Sequence, residues 1–440
     1  MLYRTITLGC KVNQYETELL GEGLRRLGYR PAGVGEAAQL CAVNTCTVTA
    51  ESDAKSRKAI RQLARENPGA EIVVMGCYAT RAADELARLP GVVDVLTDKR
   101  QIPEWLARRG LLDPPRGIGR FGRRHRAYVK VQDGCRMPCA YCIIPRVRPK
   151  LSSRPADAVE EEVRGLIDAG YREVVLTGIH LGHYGADGGE QRPGLPELVE
   201  RLAQLPGEFR LRLSSLEAAE VDDRLLAVMA AYPRRICPHL HLSLQSGSDT
   251  VLQRMRRRDT VEQFGVRCEE IRRRLDQPAL TTDLIVGFPG ESDAEFDETC
   301  RLVRRIGFAK VHLFRFSPRQ GTAAADMPGQ IDGKTKRERM RVLEHSCEHS
   351  RRWYLESLVG RRLEVLVEEP LDEHGDHAHE GTREATVSLG VAASGARRWL
   401  GTADRYVPVE LPGQADLESR LVAVEARGMA QDRLTAEIAR

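Results

Sequence analysis

The 440-residue chain has no uninterrupted apolar run long enough to cross a bilayer, so a helical membrane protein is not expected. Its first residues, Met1-Leu2-Tyr3-Arg4-Thr5-Ile6-Thr7-Leu8, lack the charged-then-apolar order of a secretory signal. The expectation is a soluble, cytoplasmic protein with no membrane partner. A dominant charge is also missing. The 67 basic and 63 acidic side chains leave a net +4, so a nucleic-acid surface must come from local clusters rather than from net charge. No internal repeat or low-complexity tract is present. Nor is there a disulfide framework: the 11 cysteines are odd in number and spread along a long chain. That pattern fits a reducing compartment with metal-bound or buried thiols.

What is present is concentrated in one short run. Gly134-Cys135-Arg136-Met137-Pro138-Cys139-Ala140-Tyr141-Cys142 spaces three cysteines as C-x3-C-x2-C. Three thiolates this close can hold three irons of a four-iron cluster, and no fourth cysteine follows nearby. One iron is then left without a protein ligand, and an open coordination position marks a reactive site rather than a structural one. A second run, Gly117-Ile118-Gly119-Arg120-Phe121-Gly122, matches G-x-G-x-x-G. It follows Pro114-Pro115 and Arg116 instead of a strand, and no clear helix pattern follows it, so a nucleotide-binding reading is rejected.

The length suits two or three domains. Residues 1–110 alternate short apolar runs (Tyr3–Leu8, Leu40–Val43, Ile72–Met75, Val92–Leu96) with helical patterns near 13–27, 50–66 and 80–88, which predicts a small parallel α/β domain. Residues 111–126 read as a linker. From 127 to 357 six strand-like runs (Ala127–Val131, Glu173–Leu176, Arg210–Leu213, Leu240–Leu244, Thr282–Val286, Val311–Phe316) alternate with helices. This predicts a partial (β/α)6 barrel with the cysteine trio at the carboxyl end of its first strand, where such folds build active sites. Residues 358–428 carry β-like runs at Leu363–Val367, Glu384–Leu389, Tyr406–Glu410 and Leu421–Ala426, predicting a small all-β barrel, and 429–440 read as a tail. Cys10, Cys46 and Cys77 lie just beyond the first three strands. Ligands gather at strand ends in open α/β sheets, so a second three-thiolate site and three unrelated buried cysteines are both compatible with position alone.

The C-x3-C-x2-C run resembles the radical S-adenosylmethionine enzymes, and further motifs resemble one family among them, the methylthiotransferases. These are Leu8-Gly9-Cys10-Lys11-Val12-Asn13, Asn44-Thr45-Cys46-Thr47, Gly76-Cys77, Leu176-Thr177-Gly178-Ile179, Leu244-Gln245-Ser246-Gly247-Ser248 and Asp283-Leu284-Ile285-Val286-Gly287-Phe288-Pro289-Gly290-Glu291. The resemblance implies two 4Fe–4S clusters, one on Cys135, Cys139 and Cys142 and an auxiliary one on Cys10, Cys46 and Cys77. It implies S-adenosylmethionine near Tyr141, Gly178, Glu217, Gln245 and Gly287, and an OB-like TRAM barrel at the C-terminus for RNA. Arg361 and Arg362 are the RNA-contact candidates. In this family a 5′-deoxyadenosyl radical is generated at the open iron, so no general base is named.

Gly9-Cys10-Lys11-Val12-Asn13-Gln14-Tyr15-Glu16 resembles the branch acting on N6-threonylcarbamoyladenosine at position 37 of transfer RNA, giving its 2-methylthio derivative. The implied partners are a tRNA anticodon loop and a low-potential electron donor such as a flavodoxin or ferredoxin, with the sulfur donor undefined. The alternatives are a methylthiotransferase for isopentenyladenosine-37 or for a ribosomal protein, and a zinc-dependent RNA-binding protein without radical chemistry. Pro149 and Ser152 depart from the usual family pattern beside the first trio. Arginine runs at 254–258 and 272–274, and basic residues at 334–341, suit either phosphate contacts or solvated helix faces balanced by acids. His374, His377 and His379 suggest an exposed polar loop more than a metal site.

Overall fold

A computed structural model describes residues 1–122, 124–188, 193–371, 397–413 and 416–439. The N-terminal region is a parallel sheet of β1 (Leu2–Thr7), β2 (Arg30–Pro31), β3 (Leu40–Thr45), β4 (Glu71–Gly76) and β5 (Val92–Leu96). Its spatial order is β2-β1-β3-β4-β5. The helices are α1 (Lys11–Arg26), α2 (Ala50–Glu66), α3 (Cys77–Arg81), α4 (Ala83–Ala87) and α5 (Ile102–Arg108). β3 is buried along its whole length, as a parallel strand covered on both faces must be. Thr49 caps α2 by accepting from the Ser52 amide at 3.1 Å. The strand order reverses between β1 and β3, which opens a crevice beyond their carboxyl ends. The expected helix at 80–88 is two short helices that start at Cys77. β2 and α5 were not read from sequence.

Residues 111–126 are a connection without a nucleotide-binding turn, but they are no loose linker. Ile118 and Phe121 are buried in the central core. The Ile118 amide donates to Glu162 at 2.7 Å and the Phe121 amide to the Tyr171 hydroxyl at 2.6 Å.

The central strands are β6 (Arg126–Asp133), β7 (Ser152–Ser153), β8 (Glu173–Gly178), β9 (Arg210–Leu213), β10 (His239–His241), β11 (Ala279–Val286) and β12 (Lys310–Arg315). Their helices are α6 (Ile144–Val147), α7 (Ala156–Asp168), α8 (Leu195–Ala203), α9 (Asp223–Ala231), α10 (Asp249–Arg254), α11 (Val261–Arg274), α12 (Asp293–Ile306) and α13 (Gly333–Glu356). β6, β8 and β9 pair in parallel, as do β10, β11 and β12. The bridges Leu211–Ile236 and Leu216–Leu242 join the two sets into one curved wall, the partial (β/α)6 barrel expected. α12 shows why helices fall where they do: Ser292 and Glu295 form a capping box, and Gly307 ends the helix at φ +66°. Ser152, a family departure, lies in the two-residue strand that pairs antiparallel with β6.

On the outer face of the wall, Val174, Leu176, Leu211 and Leu213 pack into the core. Side chains alternate along a strand, so the lumen face carries the opposite set. Pairings place Arg126, Glu173 and Arg210 side by side, and His241, Thr281 and Lys310 likewise. The lumen is polar.

The C-terminal strands β13 (Arg362–Pro370), β14 (Arg397–Ala403), β15 (Pro408–Gly413), β16 (Leu421–Ala430) and β17 (Arg433–Ile438) close a barrel in the order β13-β14-β15-β17-β16. The 429–440 segment is therefore not a tail: β17 pairs with both β15 and β16. β14 was also missed, because its small residues and paired arginines show no clear alternation. Glu384–Leu389 and the three histidines lie outside the described residues. This barrel docks on the central one through Arg210, which donates to the carbonyls of Glu364 and Thr402 at 2.7 and 2.9 Å. Arg212 reaches the Asp404 carbonyl at 2.8 Å.

Candidate functional site

The first cysteine trio follows β6 on a loop that only glycine can begin. Gly134 sits at φ +83°, and a Cβ there would lie 2.1 Å from the Lys150 carbonyl oxygen. The loop is tied down at several points. The Cys135 amide donates to the Arg148 carbonyl at 3.0 Å, and the Ala140 amide to the Met255 carbonyl at 2.9 Å. The Cys135 Sγ lies 3.5 Å from His180 Nδ1, and Arg257 approaches the Cys139 Sγ at 3.8 Å. Burial pushes the Cys142 thiol up to about 12, with mutual repulsion from Cys139 and Cys135 adding to it. Burial also raises Cys139, opposed by the Arg257 guanidinium. Thiols held this way become thiolates only beside a strong local cation, so the donor set fits iron.

The five candidate cofactor residues share the carboxyl-end rim with this loop. Tyr141 lies between two of the cysteines, half-buried, and its enclosed phenol is raised well above its usual range by burial. Gly178 ends β8, where a Cβ would meet the Gln132 side-chain oxygen at 2.9 Å. Glu217, beyond β9, is buried and accepts from Arg257 at 2.6 Å. It is not a surface carboxylate. Gln245, beyond β10, has φ +83° although it is not glycine, the kind of backbone strain that clusters at ligand sites. Gly287 ends β11 at φ +72°; its amide donates to Glu291 at 2.8 Å, and a Cβ would collide with Lys336 at 2.4 Å.

The second trio assembles at the sheet crevice. Cys10 caps α1, Cys46 follows β3 and Cys77 begins α3. A Cβ on Gly9 would sit 3.3 Å from the Cys46 Sγ, so the first two loops touch. Cys10 is solvent-accessible at the rim, yet crowding protein atoms raise its thiol. Arg148 opposes that rise and Cys77 adds to it. Burial and Cys77 likewise raise Cys46.

Arg148 links the two trios. Its Nε lies 3.4 Å from the Cys77 Sγ, while its own carbonyl receives the Cys135 amide. Its Nη1 donates to Glu16 at 2.8 Å and to Asp133 at 2.7 Å; its Nη2 donates to Asn13 and Glu16, both at 2.9 Å. Burial alone would raise the Glu16 carboxyl, but Arg148 and Lys130 outweigh it and hold it low. Arg319 makes a second tie from the central barrel, reaching Thr47 and, at 2.5 Å, Asp53 beside Cys46. Arg148 therefore joins the loops that carry the two trios.

Sequence reasoning missed Arg148, Asn13 and Glu16 as a network, since residues 13 and 148 carry no shared spacing signal. It also placed Arg257 in a basic run; the structure gives that residue to Glu217 and Cys139. His180, His183 and Glu220 were overlooked despite the H-x2-H spacing. Their ligand atoms lie within 4.8 Å of one another, the sole such trio among the described residues. Burial lowers His180, but Cys135 and Glu220 outweigh it and hold the imidazole up at about 9. Several arginines of the predicted basic patches have structural partners: Arg254 pairs with Glu295, Arg274 with Asp223, and Arg339 with Glu291. Arg361 pairs with Asp276 across the barrel junction at 3.0 Å, and Arg362 starts β13 on the surface.

Residues 3–98 match Uncharacterized protein family UPF0004, and residues 129–303 match the Radical SAM superfamily. Threonylcarbamoyladenosine tRNA methylthiotransferase MtaB of Thermotoga maritima is 38% identical over 378 residues, covering 83% of this chain and 86% of its own. The protein of that name from Bacillus subtilis is 36% identical over 441 residues, covering 95% and 92%. Among solved structures, the radical S-adenosylmethionine methyltransferase TsrM from Kitasatospora setae shares the fold. Its TM-score is 0.54 at 13% identity, over 74% of this chain and 77% of that one. Fold, thiol sites and matches together define a radical S-adenosylmethionine enzyme, with a 4Fe–4S cluster, S-adenosylmethionine and an additional iron–sulfur cluster as its cofactors. The chain belongs to the threonylcarbamoyladenosine tRNA methylthiotransferase family.

Proposed function

We propose that this enzyme converts N6-threonylcarbamoyladenosine at position 37 of transfer RNA to its 2-methylthio derivative, in the cytoplasm. Cys135, Cys139 and Cys142 hold one 4Fe–4S cluster, and Cys10, Cys46 and Cys77 hold the other. When bound, the clusters and S-adenosylmethionine would together supply a 5′-deoxyadenosyl radical to remove hydrogen from carbon 2 of the adenine, and the sulfur and methyl group of the methylthio product. The chain's own residues do the rest. Tyr141, Gly178, Glu217, Gln245 and Gly287 form the rim for S-adenosylmethionine, where Arg257 fixes the Glu217 carboxylate and Gly287 permits close backbone approach. Arg148 and Arg319 hold the second thiol site against the first. The C-terminal barrel, with the OB-like strand order of a TRAM domain, serves RNA. The anticodon loop is unpaired, so unstacking its base costs less than flipping one from a duplex. A flavodoxin or ferredoxin class donor supplies electrons.

The contact of Arg148 with both cysteine loops, at the Cys77 sulfur and the Cys135 amide, supports this reading most. Radical generation and sulfur delivery must act on the same carbon, so two distant sites would not serve it. Mass spectrometry of tRNA nucleosides from a deletion strain tests it. The 2-methylthio derivative should vanish while its threonylcarbamoyl precursor accumulates. Loss of a methylthiolated isopentenyladenosine instead would assign the other branch.

A further inference from the structure

We propose that Lys11 recognises the carboxylate of the substrate's N6-threonylcarbamoyl group at the barrel lumen; the inference rests on the substrate reading above. Lys11 opens α1, one residue after Cys10, and is half-buried. The Nζ lies 6.0 Å from the centre of the Tyr128 ring on β6. Burial lowers the imidazoles of His239 on β10 and His312 on β12 most; Arg212 and His241 act next on the first and Lys310 on the second, and Lys11 adds to both. A side chain felt by β6, β10 and β12 faces the lumen those strands enclose.

The charge balance there leaves Lys11 over. Among the described residues no carboxylate lies within the 4.0 Å of an ion pair from its ammonium. The lumen acids are already engaged. Asp283 holds His241 at 3.2 Å. Glu173 lies beneath Arg210 and Arg212 at 2.6 and 2.8 Å. A half-buried cation without an anion is poorly solvated and gains most from a ligand that brings one. The rest of this layer, His241, Thr281, Lys310 and His312, is polar and carries hydrogen-bonding groups, not the apolar lining an isopentenyl group would favour. The threonylcarbamoyl group ends in a carboxylate on a short polar arm, which matches an ammonium set among hydrogen-bonding groups, with Lys310 adding positive charge nearby.

The test uses the cluster-loaded full chain and an anticodon stem-loop carrying N6-threonylcarbamoyladenosine, beside the same RNA with the threonyl carboxylate converted to its methylamide. The unaltered enzyme should bind the carboxylate form at least about tenfold more tightly, the scale of one charge-assisted hydrogen bond. Lys11→Gln should bring that ratio close to one, while Lys11→Arg keeps it. Iron content and cluster absorption, matching the unaltered enzyme, separate lost recognition from a damaged Cys10 site. A Lys11→Gln enzyme that keeps the ratio overturns the proposal, as does an unaltered enzyme that binds both RNAs equally yet methylthiolates the natural one. An enzyme that methylthiolates neither RNA overturns the substrate reading itself.

Discussion

Arg148 is the residue on which most of the site depends. It is 2% exposed and lies among Glu16, Asp133, Asn13 and Cys77. Removing one member of a buried ion network leaves the others desolvated without compensation. Arg148→Met is expected to cost about 3 kcal/mol, with Lys130 as the remaining cation beside Glu16 and Asp133. Chemical denaturation should show the lower midpoint, and a change under about 1 kcal/mol would show the network to be dispensable. At this scale the sequence was legible where chemistry has a spacing. C-x3-C-x2-C announced itself. Cys10, Cys46 and Cys77 needed the strand-end argument and a family resemblance. Arg148 was visible only as the residue before Pro149, since its partners come from residues 13, 16, 77 and 133. Ser152 proved to be part of a small edge strand, and Arg154 beside it binds Glu162 and the Tyr15 hydroxyl.

At the scale of elements, apolar runs of parallel strands were read to within a few residues. β3 and β4 are buried on both faces nearly throughout, so their apolar runs stay almost unbroken in sequence. The C-terminal barrel was harder. Its strands alternate faces, β14 carries Arg397, Arg398 and Gly401, and β17 follows a two-residue turn that resembles a chain end. β17 closes the barrel between β15 and β16, so truncation after residue 428 should open it and expose Val409, Val424 and their neighbours. Limited proteolysis should then cut within 397–428 much faster than in the full chain. Equal resistance would mean the barrel stands without its last strand.

At the scale of the whole molecule, the central and C-terminal barrels are joined by a buried charge cluster. Burial would raise the Glu173 carboxyl, but Arg212, Arg210 and Arg126 outweigh it and hold it well below the usual carboxylate range. A carboxyl depressed in the folded state contributes stability above its unfolded value, about 4.3. That contribution is lost as pH falls towards the folded value. Melting temperature should therefore fall as the medium is acidified below about pH 5. Glu173→Gln should melt lower at pH 7 and show a flatter acid dependence. An unchanged slope would place the acid sensitivity elsewhere.

The central claim is a division of labour between two thiol sites joined through Arg148, and it has a direct measurement. The Cys10→Ala/Cys46→Ala/Cys77→Ala enzyme, reconstituted without oxygen, should hold roughly four irons where the unaltered chain holds roughly eight. Given S-adenosylmethionine and a low-potential reductant, it should still release 5′-deoxyadenosine yet form no 2-methylthio nucleoside on substrate RNA. Methylthiolation by that triple variant would contradict the account.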